Sequence, residues 1–150
     1  MLFRGKYFFL SNFYLVPGGI KHKDMTFPTV ENAYQAAKTN EDVSAFTYIS
    51  AVEAKKLGKV IPLREDWETV KYQIMFDFLK QKFDKIKGYG MLYHKLHDVS
   101  RDIVETNTWH DNLWGACVCE RCKNKTKHNI LGHMLSDIRD NTQTWQNFVP

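Results

Sequence analysis

The sequence predicts a mostly helical chain with a few short strands, and three observations carry that reading. Residues 67–83 place Trp67, Val70, Ile74, Met75, Phe78 and Leu79 at helical spacing, the longest periodic stretch in the chain. Residues 27–38 bring Pro28 and Thr29 in front of an alanine-rich segment, the pattern of a capped helix start. Ahead of them, apolar residues flank Pro17-Gly18-Gly19, as in extended segments joined by a turn. A length of 150 residues fits one domain, 1–150, large enough to bury a core without covalent staples.

Composition narrows the function classes. The aromatic share of 14% suits a dense core or a site built from flat rings. A net charge of +4 leans towards anionic partners but is too weak to announce a nucleic-acid binder. No apolar run reaches the roughly 18 residues of a membrane span, and no secretory pattern opens the chain. The 3 cysteines, all between 117 and 122, make no disulfide framework. The expectation is a soluble, cytoplasmic protein without a membrane partner.

In chain order, residues 2–10 read as a buried strand or two interrupted at Gly5. Ser11-Asn12-Phe13-Tyr14 sets small polar groups beside rings, so Asn12 and Phe13 are able to offer an amide and a ring to a ligand; the plainer alternative is a self-capped turn. Residues 20–27 return as a second strand. In the helix after Thr29, steps of about 100° put Glu31, Gln35 and Lys38 on one face. Taken alone, that stripe also suits a surface helix facing water. Glu31 lies in the first turn, where the helix dipole favours a carboxylate. A short helix over 41–48 comes next, then a second one opened by the Ser50/Glu53 capping box and stopped at Gly58. Asp66 is the expected N-cap of the helix over 67–83, with Arg64 and Trp67 at its start. Met91, Leu92 and Leu96 support another helix, and 102–105 looks strand-like. Asn129 is a plausible N-cap for the last helix, in which Gly132 costs about 1 kcal/mol relative to Ala and so implies close backbone packing. The tail from Thr142 reads as loose.

Several stretches together resemble the NADAR (YbiA-like) family of N-glycosidases. They are Leu10-Ser11-Asn12-Phe13-Tyr14; Phe27-Pro28-Thr29-Val30-Glu31 with Tyr34-Gln35-Ala36 and Lys38; Ala54-Lys55-Lys56-Leu57-Gly58; and Leu63-Arg64-Glu65-Asp66-Trp67 with Lys71, Met75 and Lys82-Phe83. Val104-Glu105, Asp111-Asn112-Leu113-Trp114-Gly115 and Asn129-Ile130-Leu131-Gly132 follow, with Leu135 and Arg139. No one of these is specific alone, but the ordered series over about residues 8–140 is. The resemblance implies an α+β domain, compact and mostly helical with a small β-sheet, with 141–150 as a loose tail. It implies a hydrolase acting on a ribose C1–N bond, with two substrate types: ADP-ribose on guanine in DNA, RNA or a nucleotide, and phosphorylated ribosylamino-pyrimidine intermediates of riboflavin synthesis. Carried over residue by residue, it points to Glu31, Lys38 and Trp67. Asn12 and Phe13 would line the pocket, Asp111, Trp114 and Gly115 another wall, and Asn129 and Gly132 the phosphate end.

The chemistry agrees. Breaking C1–N builds positive charge on C1 and the ring oxygen, and the departing nitrogen needs a proton. Glu31 and Asp111 are the candidate carboxylates, and Lys38 allows a covalent imine route instead. Neither route requires a cofactor. Ala116 stands where some relatives have an acidic residue after the Trp-Gly pair, which weakens the case for Asp111. Cys117, Cys119 and Cys122 with His128 form a sensible zinc set of three thiolates and an imidazole, in a structural role, although a thiol cluster need bind nothing. His110 and His133 read as surface or core residues. Two rival classes stay open: a module that binds ADP-ribose or a nucleotide without cleaving it, and a basic surface of Arg121, Lys123, Lys125 and Lys127 that grips phosphates.

Overall fold

The computed structural model describes all 150 residues, apart from the side chain of Tyr89. The elements are β1 (Ile20–His22), β2 (Met25–Phe27), α1 (Val30–Ala37), α2 (Ala51–Leu57), α3 (Trp67–Lys82), α4 (Met91–His97), β3 (Thr106–Asn107), β4 (Ala116–Cys117) and α5 (Ile130–Asp140). Five short 3₁₀ segments intervene. The fold is α+β, and the chain forms two compact units, residues 12–92 and residues 1–11 with 93–150.

In the first unit, β1 and β2 pair antiparallel with Ile20 opposite Phe27. The segment 20–27 is therefore a hairpin and not the single strand expected. Lys23 and Asp24 take left-handed φ values of 50° and 59°, the two-residue turn that matches strand twist. Only Asp24 is of a type that such turns favour, so the turn signal was weak.

Thr29 begins α1 as predicted: its hydroxyl oxygen accepts the Asn32 N–H at 3.0 Å. All eight residues of α1 are buried, so its polar face looks inward and not to water. Asn32 donates to the carbonyls of Phe46 (2.9 Å) and Ile49 (2.8 Å), tethering the segment that follows. That segment holds only a 3₁₀ turn, Ser44–Thr47, in place of the expected helix. The Ser50 cap and Gly58 stop of α2 are as the sequence predicts.

Along α3 the buried side is Trp67, Lys71, Met75, Phe76, Phe78, Leu79 and Lys82, while Val70 and Ile74 are only half-buried. Two lysines thus sit in a stripe that the apolar pattern had assigned to hydrophobes. The Lys82 amine lies 5.6 Å from the Tyr14 ring centroid and 5.1 Å from that of Phe83. Complete burial lowers its pKa to about 7. Asp66 occupies the N-cap position without capping, because its carboxylate is paired with Arg64.

In the second unit, residues 5–10 form a 3₁₀ turn, Gly5–Leu10, and not a strand. Only Phe9 and Leu10 of it are buried, and a helical turn can direct two consecutive side chains inward where strand alternation cannot. The pairing expected at 102–105 falls one step later: β3 and β4 pair in parallel, Thr106 with Ala116 and Asn107 with Cys117. The tail is ordered where a loose segment was expected. The Asp137 carboxylate accepts the Thr142 hydroxyl (2.5 Å), the Thr144 hydroxyl and amide (2.8 Å each) and the Trp145 amide (2.8 Å), and Trp145 is buried.

Candidate active site

In the first unit the predicted residues gather along α1. The Asn12 carbonyl accepts the Glu31 N–H at 3.0 Å, which anchors the 11–14 turn to the start of the helix. One turn on, Gln35 Nε2 donates to Glu31 Oε1 at 2.7 Å, both side chains buried. This bond fixes which end of the Gln35 amide faces the carboxylate and leaves Gln35 Oε1 buried with no partner among the described residues. Asn12 Oδ1 is likewise buried without a partner among the described residues, while its Nδ2 meets the Met75 sulfur at 3.6 Å. An orphaned buried acceptor costs free energy unless a water or a ligand supplies the donor. Gly58 permits the arrangement, since a Cβ there would fall 1.8 Å from Gln35 Oε1.

Lys38 closes the helix, its carbonyl accepting the Arg64 N–H at 2.7 Å. Its amine lies 5.5 Å from the Tyr34 ring centroid, and Tyr34 packs on Trp67 at 5.0 Å. Burial pushes the Lys38 pKa below the ordinary lysine value; the Glu31 carboxylate opposes the shift, and the Lys55 and Lys71 ammonium groups reinforce it. Trp67 is itself buried, a wall behind Tyr34 more than an open stacking platform. Phe13 has Lys55 Nζ 5.9 Å from its ring centroid. Arg64 is engaged by Asp66 at 2.6 and 3.0 Å. The arrangement offers a buried carboxylate, a half-buried amine held towards its neutral form, and two buried acceptors without a partner among the described residues. Sequence reasoning did not single out Tyr34, Lys55 or Lys71 as site groups, although all three lie in the stretches that carry the resemblance.

The other predicted residues lie in the second unit, where their polar atoms are engaged locally. Asp111 Oδ1 accepts the amides of Leu113 (3.0 Å) and Trp114 (2.9 Å), and Asn107 Nδ2 donates to the Asp111 carbonyl at 2.7 Å. The turn so formed caps α5: the carbonyls of Asn112, Leu113, Trp114 and Gly115 accept the amides of His128, Ile130, Leu131 and Asn129 at 2.8–3.2 Å. Amides that a helix start would otherwise present to an anion are therefore occupied. Asn129 takes φ 48° and makes no side-chain cap. It instead accepts the Glu105 N–H at 2.9 Å and donates to the Ile103 carbonyl at 3.1 Å. At Gly132 a Cβ would lie 2.2 Å from that same carbonyl oxygen, the close packing expected of it. At Gly115 a Cβ would meet Glu105 Oε2 at 1.7 Å.

Cys117, Cys119 and Cys122 come together as expected, but the imidazole that joins them is His110 and not His128. His128 directs Nδ1 to the Phe148 carbonyl at 3.2 Å, a contact made possible by the ordered tail.

Elsewhere, an open depression of about 490 Å³ lies along the hairpin, lined by residues 21–26 and by none of the predicted site residues. Among the described residues no helix is long and apolar enough to cross a membrane.

Known proteins resemble this chain over most of its length. A family model described as NADAR domain matches residues 2–143. The chain is 32% identical over 138 residues to the N-glycosidase Npun_R5314 of Nostoc punctiforme, covering 87% of this chain and 82% of that protein. It is 31% identical over 137 residues to the N-glycosidase YbiA of Escherichia coli strain K12, covering 87% and 78%. The fold is similar to the NMR structure of E. coli YbiA, with a TM-score of 0.74 and 28% identity over 94% of this chain and 83% of that one.

Proposed function

The chain belongs to the NADAR domain family, whose relatives here are N-glycosidases, and from that premise we propose that this hydrolase of N-glycosyl bonds removes ADP-ribose from guanine through Glu31 and Lys38. The observation that carries the assignment is the inward face of α1: a Glu31–Gln35 pair at 2.7 Å whose Gln35 Oε1 is a buried acceptor without a partner among the described residues, with a second such acceptor, Asn12 Oδ1, on the residue whose carbonyl accepts the Glu31 amide. Those acceptors, Gln35 Oε1 and Asn12 Oδ1, suit the hydroxyl donors of a ribose. The cationic neighbour Lys55 suits its phosphates, while Lys71, whose amine donates to Glu68 Oε2 at 2.5 Å, adds positive charge nearby.

Lys38 acts as the nucleophile in this reading, because burial and neighbouring cations hold its amine towards the neutral form that attack requires. The ring C1–O bond opens with a proton delivered to the ring oxygen. The Lys38 amine adds to C1, and the C1–N bond to the base breaks as that nitrogen takes a proton. Water then adds to the lysine imine and releases the sugar aldehyde, which recloses, regenerating the amine. Glu31 is the group that passes these protons. No step is routed through a cofactor. Asp111 serves in this scheme as the anchor of its turn, with Asn129 and Gly132 as supports of the same loop.

Borohydride added during turnover tests the route. It should fix the ribose moiety to the peptide bearing Lys38, detectable by mass, and a Lys38→Arg protein that cleaves at near-normal rate would overturn it in favour of direct attack by water. Side-by-side incubation with ADP-ribosylated guanosine and with a phosphorylated ribosylamino-pyrimidine tests the substrate. Release of guanosine supports the proposal. Cleavage of the pyrimidine alone reassigns the substrate, and binding without cleavage of either makes the chain a binding module.

A further inference from the structure

We propose that His110, Cys117, Cys119 and Cys122 form a closed structural zinc centre that pins the loop between β3 and β4. The four candidate ligand atoms all lie within 4.8 Å of one another. Cys117 and Cys119 sulfurs are 3.3 Å apart, and His110 Nδ1 is 3.3 Å from Cys119 Sγ and 3.5 Å from Cys122 Sγ. Zinc–sulfur bonds of about 2.3 Å and zinc–nitrogen bonds of about 2.0–2.1 Å set tetrahedral edges of about 3.8 Å between sulfurs and about 3.6 Å between sulfur and nitrogen. These three separations lie within about half an ångström of those edges, and the remaining pairs are bounded by 4.8 Å. They are far from the roughly 2.05 Å of a disulfide, and all three cysteines are free thiols.

Backbone geometry supports a site that is built and not accidental. His110 takes φ 70°, an unusual value for a side-chain-bearing residue, in the turn held by Asn107, Asp111 and Asn112. Asn112 Oδ1 accepts the Cys117 amide at 2.9 Å, fixing the first cysteine, and the 3₁₀ turn Glu120–Cys122 brings the third back towards it. Charge also fits. Three thiolates and a neutral imidazole around a divalent ion leave a net charge of −1, and the following loop supplies Arg121, Lys123, Lys125 and Lys127. Arg121 Nη1 stands 3.4 Å from His110 Nε2, and Lys127 donates to the Cys122 carbonyl at 3.1 Å. Two cations of the basic loop, Arg121 and Lys127, thus contact the cluster. Four protein ligands leave no open coordination position, so the ion is structural; the loop it pins is the one that caps α5.

Titration of reduced, metal-free protein with Zn²⁺ tests the assignment without reference to activity. The expected result is uptake of about one ion per chain, an X-ray absorption shell of three sulfurs and one nitrogen, and a melting temperature that rises on binding and falls with chelator. His110→Ala should weaken the affinity by about a hundredfold or more, since losing even an outer-shell partner typically costs 10–100-fold. His128→Ala should bind as tightly as the parent. Cys119→Ser, at the most accessible of the thiols, should weaken binding without the core disruption that substituting buried Cys117 or Cys122 risks. No uptake, a shell with fewer than three sulfurs, or equal affinities for His110→Ala and the parent would overturn the proposal. Loss of affinity on His128→Ala alone would restore the ligand set expected from sequence.

Discussion

Gln35 in α1 donates one hydrogen bond to Glu31 and leaves its carbonyl oxygen buried and unanswered. Asn129, at the start of α5, uses its oxygen on the Glu105 amide and its nitrogen on the Ile103 carbonyl. Both are buried amides on elements that the family resemblance marks as functional, and the physics separates them. A saturated amide holds two pieces of backbone together and is costly to lose. An unsaturated one costs stability unless a water or a ligand answers it, and its loss should be felt less in the fold. The same contrast divides the candidate carboxylates. One Asp111 oxygen serves two amides of its own turn, whereas Glu31 faces a side chain that is itself half-used.

Breaking α1 should therefore cost activity, and breaking the α5 start should cost stability. The largest effect is expected for Glu31→Gln, which keeps size and cap but removes the charge. Turnover should fall at least about a hundredfold, near 3 kcal/mol of barrier, with the melting temperature little changed. Unchanged turnover in folded protein would end the catalytic reading of Glu31.

Lys38→Arg should lose about as much, and the parent should show the pH signature that the variant lacks. Because attack needs the neutral amine, kcat/KM should climb about tenfold per pH unit and level off below the ordinary lysine pKa. The sign for stability is the same: the unfolded chain holds the Lys38 proton to higher pH, so folding gains as pH rises from the folded pKa to the unfolded one. A profile that is flat throughout, measured on the parent, would remove Lys38 from the chemistry.

Asn129→Ala should unfold with about 2–3 kcal/mol less stability, leaving two backbone groups without partners. Its turnover per folded molecule should stay within about threefold, so a large kcat loss at full stability would erase the contrast. Gly58→Ala sharpens it from the other side. The added methyl must push Gln35 away from its place, and an activity loss of about tenfold is expected, larger than denaturant unfolding would explain. The smallest change is expected for Asp111→Asn, which retains the accepting Oδ1 of the turn. An activity change under about threefold would separate it from Glu31→Gln.

What the sequence by itself determined is what short-range physics can carry. Thr29 and Ser50 are caps because a hydroxyl reaches an amide three residues on, and α3 follows from side-chain period alone. The ordered motifs identified Glu31 and Lys38, and local spacing placed them on one face. Tertiary structure decided which way that face looks and what surrounds it. The depressed Lys38 pKa depends on burial and on Lys55 and Lys71, which lie on other helices. Lys71 and Lys82 entered a buried stripe that hydrophobic pattern denied them, since long aliphatic stems pack where their charge does not belong. His110 displaced His128 because a left-handed turn aims one imidazole at the thiols, and the ordered tail claims the other. That tail is itself held by Asp137 through partners five to eight residues away, Trp145 among them. Each of these outcomes depends on where distant segments meet, and residue type and spacing along one segment hold no record of that.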